Sequence, residues 1–488
     1  MVLNDINNVI SKLKKETNNL SDIIYRKKII NKKEVYIVYN EPLTSSDKIS
    51  DFIIRSLTSI ENNINKNENI IDVIENNISN FKVSRIDSYD KLCFYLHHGF
   101  TIILIEGEKE ALVLETKASI NRGIGLPETE SSVRGAHDAF VEEIQINIGL
   151  IKKRIKTNDL WMESITIGKY TKTQVKVLSI NGVVKKELVN DVMEKLKKIN
   201  ISGIVDSSMI KNLIEEENKS FFPTIKSTER PDVVSKALLE GKIAIVVDNS
   251  PYVLIVPSVL NDFFKTMEDV YGKSINVTFT RIIKHLAFWI ALLTPAIYIA
   301  LVTYNQEMIP TDLLVNFATQ REGVPFPAFF EAFIMMICFE ILRESDLRTP
   351  SASGNALSIV GALILGDAAV SAGIVSPIMI IVIAITAISS LPFEEQDIIN
   401  GLRWYRILFM LGASLLGMIG VVVVFIYFIS KLASMNTFGK PYLLPFTPLD
   451  INSLKNSIIK FPLRKSTKRS KYLSDNRIMQ RSDNLEEN

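Results

Sequence analysis

Two acidic residues lie in stretches whose neighbours are almost all apolar. Glu331 stands in the run PFPAFFEAFIMMICFE (residues 325–340), and Asp367 stands at the middle of residues 355–375. An ionised carboxylate inside an apolar helix is costly unless it faces water or a partner, and such residues mark ion and proton paths. Glu331, Asp367 and Met335 are therefore candidate residues lining a pore or cavity. A protonated or hydrogen-bonded structural acid is the alternative reading for both carboxylates.

A second group of charges, Glu340, Arg343, Glu344 and Arg348, follows at the far end of the same run. Spacings of three and four residues let charges of opposite sign pair on a helix, and long side chains reach toward a membrane surface. These four residues are predicted to be charges at the inner rim of a membrane. Glu331 and Glu340 are nine residues apart, which is about 180° around a helix, so they do not share a face.

Sequence signatures of catalysis were sought in the whole chain and do not occur. The patterns G-x-x-x-x-G-K-[ST], G-x-S-x-G and H-E-x-x-H are missing. His97 and His98 are adjacent, and on a strand they would point to opposite faces, which does not suit a shared metal. Cys93 and Cys338 lie too far apart in the sequence to suggest a disulfide framework. The chain is therefore predicted to be no enzyme and to hold no cofactor, metal or nucleic acid.

The charge distribution divides the 488 residues into regions, although the net charge is only +2. Lys, Asp and Glu are concentrated in residues 1–280, residues 285–430 carry few charges, and the last thirty residues are rich in Lys and Arg. The N-terminus lacks the apolar core of a secretory signal. We predict a helical or flexible segment (1–30), a two-lobed soluble α/β or α+β domain (31–275), an all-α multi-pass membrane domain (276–435) and a basic cytoplasmic tail (436–488).

Strand-like and helical patterns alternate in the soluble region. Apolar, β-branched runs predict strands at residues 34–40, 100–107, 111–116, 173–180, 242–248 and 252–257. The run RGAHDAFVEEIQINIGLIKKRI (134–155) predicts an amphipathic packing helix, because apolar residues recur at spacings of three and four from Phe140 to Ile155. Its acidic residues, including Glu143, come first and its basic residues last, as the helix dipole favours.

The membrane region contains five apolar segments and a short helix after Pro310 that suits the outer interface. The segments are residues 282–304, 325–342, 355–375, 376–393 and 406–430. The basic tail and the large domain both belong on the cytoplasmic side. Five full crossings cannot place them there, so one segment is expected to be re-entrant or broken, and glycine-containing 355–375 is the best candidate. We therefore predict about four membrane crossings and a channel-like or carrier-like interior.

Five separated segments occur together in the order found in one known family. They are SSVRGAHDAFVEEIQINIGLIKKRI, TERPDVVSKALLEGKIAIVVDNSPYVLIVP, PFPAFFEAFIMMICFEILRE, GNALSIVGALILGDAAVSAGIVSPIMIIVIAITAIS and LASMNTFGKPYLLPFTP. Over residues 85–450 the chain resembles the A subunits of GerA-type spore germination receptors. A structural role in the soluble domain is assigned to the motif residues Arg134, Gly135, Phe140, Glu143, Asn147, Arg154, Arg230 and Pro231.

The resemblance implies a nutrient-sensing subunit of the inner spore membrane. Its N-terminal domain and C-terminal tail would face the spore core, and it would act with a transporter-like B subunit and a lipoprotein C subunit. It would contact membrane lipids and assemble into a homo-oligomeric, ligand-gated ion channel that releases cations, with the helix of Glu331 lining the pore. An ion-coupled transporter subunit, or the germination paralogue associated with dipicolinate release, is the alternative.

Overall fold

The computed structural model describes residues 5–18, 21–60, 69–78, 83–118, 125–127, 129–130, 132, 134–216, 220–348, 365–450, 454, 457–462, 469–474 and 476. The chain forms two units. The first unit comprises Met1–Glu216, Ile225–Ser258 and Leu463–Asn488, and the second comprises Glu217–Thr224 and Val259–Pro462.

The first unit contains two five-stranded sheets whose neighbouring strands are all antiparallel. One sheet has the order β1-β2-β4-β5-β3, with β1 (Ile23–Ile30), β2 (Lys33–Asn40), β3 (Val83–Ile86), β4 (Thr101–Ile105) and β5 (Ala111–Leu114). The other has the order β6-β7-β9-β10-β8, with β6 (Leu160–Ile167), β7 (Thr173–Ile180), β8 (Lys226–Thr228), β9 (Ile243–Val247) and β10 (Val253–Val256). The six strands predicted from the sequence are confirmed as β2, β4, β5, β7, β9 and β10.

Helices cover these sheets. They are α1 (Ile6–Glu16), α2 (Ser46–Lys48), α3 (Arg55–Ile60), α4 (Ile70–Asn77), α5 (Tyr89–His97), α6 (Ile144–Arg154), α7 (Lys186–Lys197), α8 (Ser207–Ile214) and α9 (Pro231–Leu239), with a π-helical turn at Ile49–Ile54. One core joins a face of both sheets to α1, α5, α6 and α9, and a second core lies between the other face of the first sheet and residues 49–57 and 70–78. Because both faces are covered, β4 and β5 are buried along their whole length.

The predicted packing helix is shorter than the sequence suggested. α6 begins only at Ile144, so Phe140 is buried but precedes the helix. The Asn147 side chain explains the difference, since its amide oxygen accepts from the backbone N–H of Val141 and its amide nitrogen donates to the Val141 carbonyl. The Phe140 N–H in turn donates to the Glu229 carbonyl at 2.7 Å. A longer helix would need these backbone groups for its own hydrogen bonds.

His97 and His98 do not lie on a strand, because the preceding residues form α5 and His97 ends it. The His97 side chain is buried and its Nε2 contacts the side-chain oxygen of Asn158, whereas the Nδ1 of exposed His98 contacts the carbonyl of Phe94. The two imidazoles therefore have separate partners.

The second unit is built mainly from helices. They are α10 (Glu268–Tyr271), α11 (Ser274–Thr303), α12 (Thr311–Arg321), α13 (Ala328–Arg348), α14 (365–371), α15 (Pro377–Ile388) and α16 (Gln396–Ser434), followed by the short strands β11 (Asn436–Thr437) and β12 (Lys440–Pro441). Among the residues that the structure describes, α11 and α16 are long and apolar enough to cross a membrane, by length and composition. α15 is a shorter apolar helix.

α16 is folded back on itself at Gly417. The ring centroids of Tyr405 and Phe428 are 4.7 Å apart, whereas 23 residues of straight helix would separate them by about 34 Å. Gly417 has φ 60° and ψ −139°, a conformation open to glycine. A Cβ there would lie 2.7 Å from Tyr304 Cβ and from Asn305 Oδ1, the atom that accepts the Met418 N–H. The segment 406–430, predicted as one crossing, therefore belongs to a hairpin of two antiparallel helices.

The segment predicted to be broken, 355–375, is only partly within the described residues. Residues 355–364 lie outside them, residues 365–371 form α14, and the chain turns at Gly373, whose φ is 63°. The short helix expected after Pro310 is present as α12, and none of its residues is buried.

Candidate functional site

The Glu331 carboxylate lies on the first turn of α13 and has no exposed surface. Its Oε1 accepts from Nε and Nη2 of Arg321 at 3.2 and 3.1 Å. Its Oε2 accepts from the backbone N–H and the hydroxyl of Ser376 at 3.0 and 2.9 Å. Both oxygens are thus paired, which is the condition under which a buried charge is tolerated.

Three helices supply these contacts. Arg321 is the last residue of α12, Glu331 lies in the first turn of α13, and Ser376 immediately precedes α15. The Ser376 hydroxyl is turned to Glu331 and makes no cap bond to its own helix, while the carboxylate receives an N–H at the positive end of the α15 dipole. In the single chain Glu331 does not face water, contrary to the expectation, because α12 and α15 close over it. Its role in a pore stays a prediction.

The other two candidate pore residues lie elsewhere. Met335 is packed into the core of the second unit with 8% of its surface exposed. Asp367 is an exposed residue of α14. The structure therefore does not bring Met335 or Asp367 into contact with the Glu331 carboxylate, and their pore-lining role also stays a prediction.

A buried guanidinium that the sequence analysis missed lies on α16. Arg406 is 4% exposed, and its Nε donates to the carbonyl of Ala291 on α11 at 2.7 Å. In an α-helix that carbonyl would accept the N–H of the residue four positions later, which here is Pro295 and has none. The proline inside α11 frees an acceptor, and Arg406 uses it. Its other nitrogens contact the Ser390 hydroxyl at 3.1 Å and the Met336 sulfur at 4.0 Å.

The predicted rim charges form a network at the C-terminal half of α13. Glu340 pairs with Arg343 at 3.8 Å, as the helical spacing suggested, and more closely with Arg403 of α16 at 2.7 Å. Arg343 also donates to the side-chain oxygen of Gln396 at 2.7 Å. Glu344 is exposed on the same helix. The side chain of Arg348 lies outside the described part of the structure.

In the first unit, Arg230 ties a long loop to the start of α9. Its guanidinium is 2% exposed and donates to the carbonyls of Glu130 and Ala136 and to the Ser132 hydroxyl. It also pairs with Asp232 at 2.8 Å. Burial raises the pKa of the neighbouring Glu130. Pro231 stands at the first position of α9, where its missing N–H costs nothing.

The remaining motif residues of the first unit have simple positions. Glu143 precedes α6 as its N-cap residue, Arg154 at the helix end pairs with Asp138, and Arg134 and Gly135 are exposed. Gly135 has φ 118°, a backbone conformation that glycine adopts readily. These placements agree with a structural rather than a chemical role.

Cys93 and His97 are one helical turn apart on α5, and Asn158 contacts the imidazole. These residue types also occur in cysteine hydrolases. Here, however, burial raises the pKa of the Cys93 thiol and lowers the pKa of His97. A neutral thiol is a weak nucleophile, so the geometry does not provide an activated cysteine.

Comparison with known proteins supplies the family. The sequence model of the Bacillus/Clostridium GerA spore germination protein family matches residues 11–472. Spore germination protein KA of Bacillus subtilis is 38% identical over 478 residues, which cover 97% of this chain and 88% of that protein. Spore germination protein B1 of the same organism is 31% identical over 460 residues, covering 94% and 95% respectively.

A solved structure also matches. The crystal structure of the N-terminal domain of the A subunit of the Bacillus megaterium spore germinant receptor GerK3 is 32% identical, with a TM-score of 0.42 over 53% of this chain and 97% of that one. The family match spans nearly the whole sequence and two relatives exceed 30% identity over most of their length. The chain belongs to the GerA family of spore germination proteins.

Proposed function

We propose that the chain is a multi-pass membrane subunit of a nutrient germinant receptor and assembles with further copies into a ligand-gated channel that releases cations. It acts at the inner spore membrane with a transporter-like B subunit and a lipoprotein C subunit. Its N-terminal domain and C-terminal tail face the spore core. Membership of the GerA family supports the part in germination.

The polarity of the second unit carries the membrane part of the proposal. Large apolar side chains are exposed along its helices, among them Leu286 on α11 and Leu415, Ile419 and Ile426 on α16. Charged groups, by contrast, are buried inside it, as Glu331 is. Water-soluble helix bundles have the opposite distribution, whereas proteins embedded in lipid keep ionisable groups in the interior.

The hairpin in α16 changes the number of apolar segments that enters the argument about topology. Its two halves, 396–416 and 418–434, are about 31 and 25 Å long at 1.5 Å per residue, enough for a hydrocarbon core of about 30 Å with little adjustment. Dividing the fifth apolar segment of the sequence into two raises the number of apolar segments from five to six. An even number places the large domain and the basic tail on the same side without any re-entrant segment.

The pair of Glu331 and Arg321 then represents a closed state. A carboxylate that is fully paired inside the chain offers no site to a passing cation. Arg321 ends a helix without buried residues and its own side chain is 20% exposed, so α12 is the partner that is free to move away. Opening separates the pair and turns the carboxylate toward the ion path.

Flux through liposomes that contain the chain with its B and C subunits tests the proposal. We expect cation efflux that begins on addition of germinant, and a changed cation selectivity or conductance in Glu331→Gln. Asp312→Asn, at an exposed acidic residue of α12, is the matched control and should behave as the wild type. Efflux that does not depend on germinant, or that saturates at the turnover of a carrier, would contradict the channel proposal.

A further inference from the structure

A tyrosine hydroxyl that the proposed function has not used lies buried beside the Glu331 carboxylate. Tyr298 of α11 is 7% exposed, and its hydroxyl oxygen is buried without a hydrogen-bond partner within the described residues. The side chains of Ser376, Arg321 and Glu331 all lie within electrostatic reach of it. A buried hydroxyl without a partner costs free energy, so its presence at this position requires an explanation.

Tyr298 lies on the side of the carboxylate that Arg321 covers. The rings of Tyr298 and Phe317 of α12 pack with their centroids 6.3 Å apart. Phe317 and Arg321 are four residues apart on α12, so they share one face of that helix. The guanidinium of Arg321 takes Oε1 of the carboxylate at 3.1 and 3.2 Å, whereas Ser376 holds Oε2. Removal of Arg321 therefore leaves Oε1 without its partner on the side where the Tyr298 hydroxyl lies.

These groups have the chemistry of a site for a monovalent cation. The buried carboxylate of Glu331 needs a positive partner, and the guanidinium of Arg321 is that partner in the structure. Without the guanidinium, Oε1 and the hydroxyl oxygens of Tyr298 and Ser376 are oxygen ligands, which hard cations prefer. Calcium sites usually combine more than one carboxylate, and the described residues contain no cluster of acidic, His or Cys side chains that could hold a metal. One negative charge and neutral oxygens therefore favour Na⁺ or K⁺.

We propose that a monovalent cation, Na⁺ or K⁺, replaces the Arg321 guanidinium at Glu331 when α12 moves away, and that the Tyr298 hydroxyl is one of its ligands. The inference rests on the proposed opening of the channel, in which Arg321 separates from Glu331. The Arg321 side chain is 20% exposed, so its departure opens a path for an ion from water. Tyr298 favours the open state, because its hydroxyl, unpaired within the described residues, gains a partner when the ion binds.

Thermal unfolding of the purified full chain in a nonionic detergent tests the proposal without germinant or flux. Arg321→Gln imitates the open state, because it removes the guanidinium from Glu331. Its Tm is measured in increasing KCl or NaCl, while N-methyl-D-glucamine chloride keeps the ionic strength constant. We expect the Tm to rise along the saturation curve of a single site, because a ligand that binds only the folded chain stabilises it. The wild type and Arg321→Lys keep a positive group at Glu331 and should show no such rise.

Tyr298→Phe distinguishes a cation ligand from a residue that only packs. In the Arg321→Gln background it should weaken the apparent cation affinity about tenfold, as the loss of one polar contact to a charged group predicts. In the wild-type background it should leave the Tm unchanged or raise it, because the hydroxyl that it removes is unpaired in the described part of the structure. Adding Glu331→Gln to Arg321→Gln should abolish the cation dependence. Tyr405→Phe, at a buried tyrosine of α16, is the matched control and should leave the affinity unchanged.

Other results assign the charge balance differently. If the Tm of Arg321→Gln is the same in all three salts, or rises only as the pH falls, Glu331 takes up a proton instead and the proposal is overturned. Stronger stabilisation by CaCl₂ than by KCl, or a variant that stays unfolded in every salt, overturns it as well. Equal cation affinity with and without Tyr298→Phe contradicts the role of Tyr298. Because these affinities involve no efflux, their failure is separate from failure of the channel proposal, which the liposome experiment detects.

Discussion

Arg406 and Pro295 are expected to be energetically coupled through the carbonyl of Ala291, and a double-mutant cycle measures that coupling. Arg406→Met removes the donor and leaves the carbonyl buried without a partner, since Pro295 has no N–H to offer it. Pro295→Ala restores an N–H to α11, which can reach the same carbonyl. The arginine should therefore matter less when residue 295 is alanine.

The magnitude follows from the 2.7 Å bond between Arg406 Nε and the Ala291 oxygen. An unpaired buried carbonyl costs about 1–3 kcal/mol. Removing the buried charge offsets part of the cost of Arg406→Met, but it does so equally in both backgrounds and cancels in the cycle. We expect a coupling free energy of about 1–3 kcal/mol, or roughly a factor of 5 to 150 in the unfolding equilibrium.

Unfolding by SDS in mixed micelles gives the free energies of the wild type, the two single variants and the double variant. The parallel cycle of Pro295→Ala with Arg403→Met is the control, because Arg403 pairs with Glu340 and not with Ala291; its energies should add. A coupling below about 0.5 kcal/mol, the usual scatter of additive sites, would refute the argument that Arg406 replaces the proline's missing donor.

Three further predictions concern other contacts. Arg321→Gln should destabilise the chain by about 3 kcal/mol, because it leaves Glu331 buried without its counter-charge, and adding Glu331→Gln should recover part of the loss in the same SDS assay. Gly417→Ala should cost at least about 2 kcal/mol, since its positive φ and the nearby Tyr304 leave no room for a Cβ. The hydrogen-exchange protection factors of the α5 amides in the full chain, which take out the slowing of intrinsic exchange at lower pH, should decrease as the pH falls below the ordinary His97 pKa of 6.5. Burial lowers the folded-state pKa of His97, so its stabilising contribution is lost on protonation, and His97→Gln should flatten this dependence.

Each of these has a contrary outcome. Unfolding free energies that add for Arg321→Gln and Glu331→Gln would show that the two side chains do not act as a pair. Gly323→Ala is the matched glycine control, since nothing lies within 4 Å of its added Cβ. Equal losses of unfolding free energy in Gly323→Ala and Gly417→Ala would contradict the argument that the turn requires glycine at residue 417. Protection factors for α5 with the same pH dependence in His97→Gln would assign that dependence to another group.

Six strands of the first unit were predictable because each is a short apolar, β-branched run, whereas β1, β3, β6 and β8 were not predicted. The β1–β2 hairpin illustrates what such patterns omit. Asn31 and Lys32 form its two-residue turn with positive φ at both positions, yet an Asn-Lys pair is a weaker turn signal than Asn-Gly. The start of α6 was missed for another reason: one side chain, Asn147, holds the backbone of Val141 outside the helix, and periodicity does not register such a bond.

The hairpin in α16 escaped prediction because its turn lies in a continuous apolar run. Sequence reasoning expects polar residues or proline where a chain reverses. Here Gly417 alone takes the non-helical conformation, and the side chain of Asn305, two residues beyond the end of α11, accepts the freed N–H of Met418. The length of the helical stretch was the feature that indicated a reversal of the chain. A helical stretch of 39 residues is nearly twice the approximately 20 residues that one crossing needs.

Buried Glu331 and Arg406 of the second unit differ in what holds them, and this difference bears on which helix can move. The acceptor of Arg406 is a backbone carbonyl fixed by the fold of α11, so separating them requires that helix to move or to regain a donor at Pro295. Glu331 is held by Arg321, a side chain at the end of a helix without buried residues. Its separation costs one ion pair and the packing of the partly buried Phe317 of α12 against Tyr298. If the proposed channel opens, we therefore expect α12 to be the element that moves and the contact between α11 and α16 to stay in place.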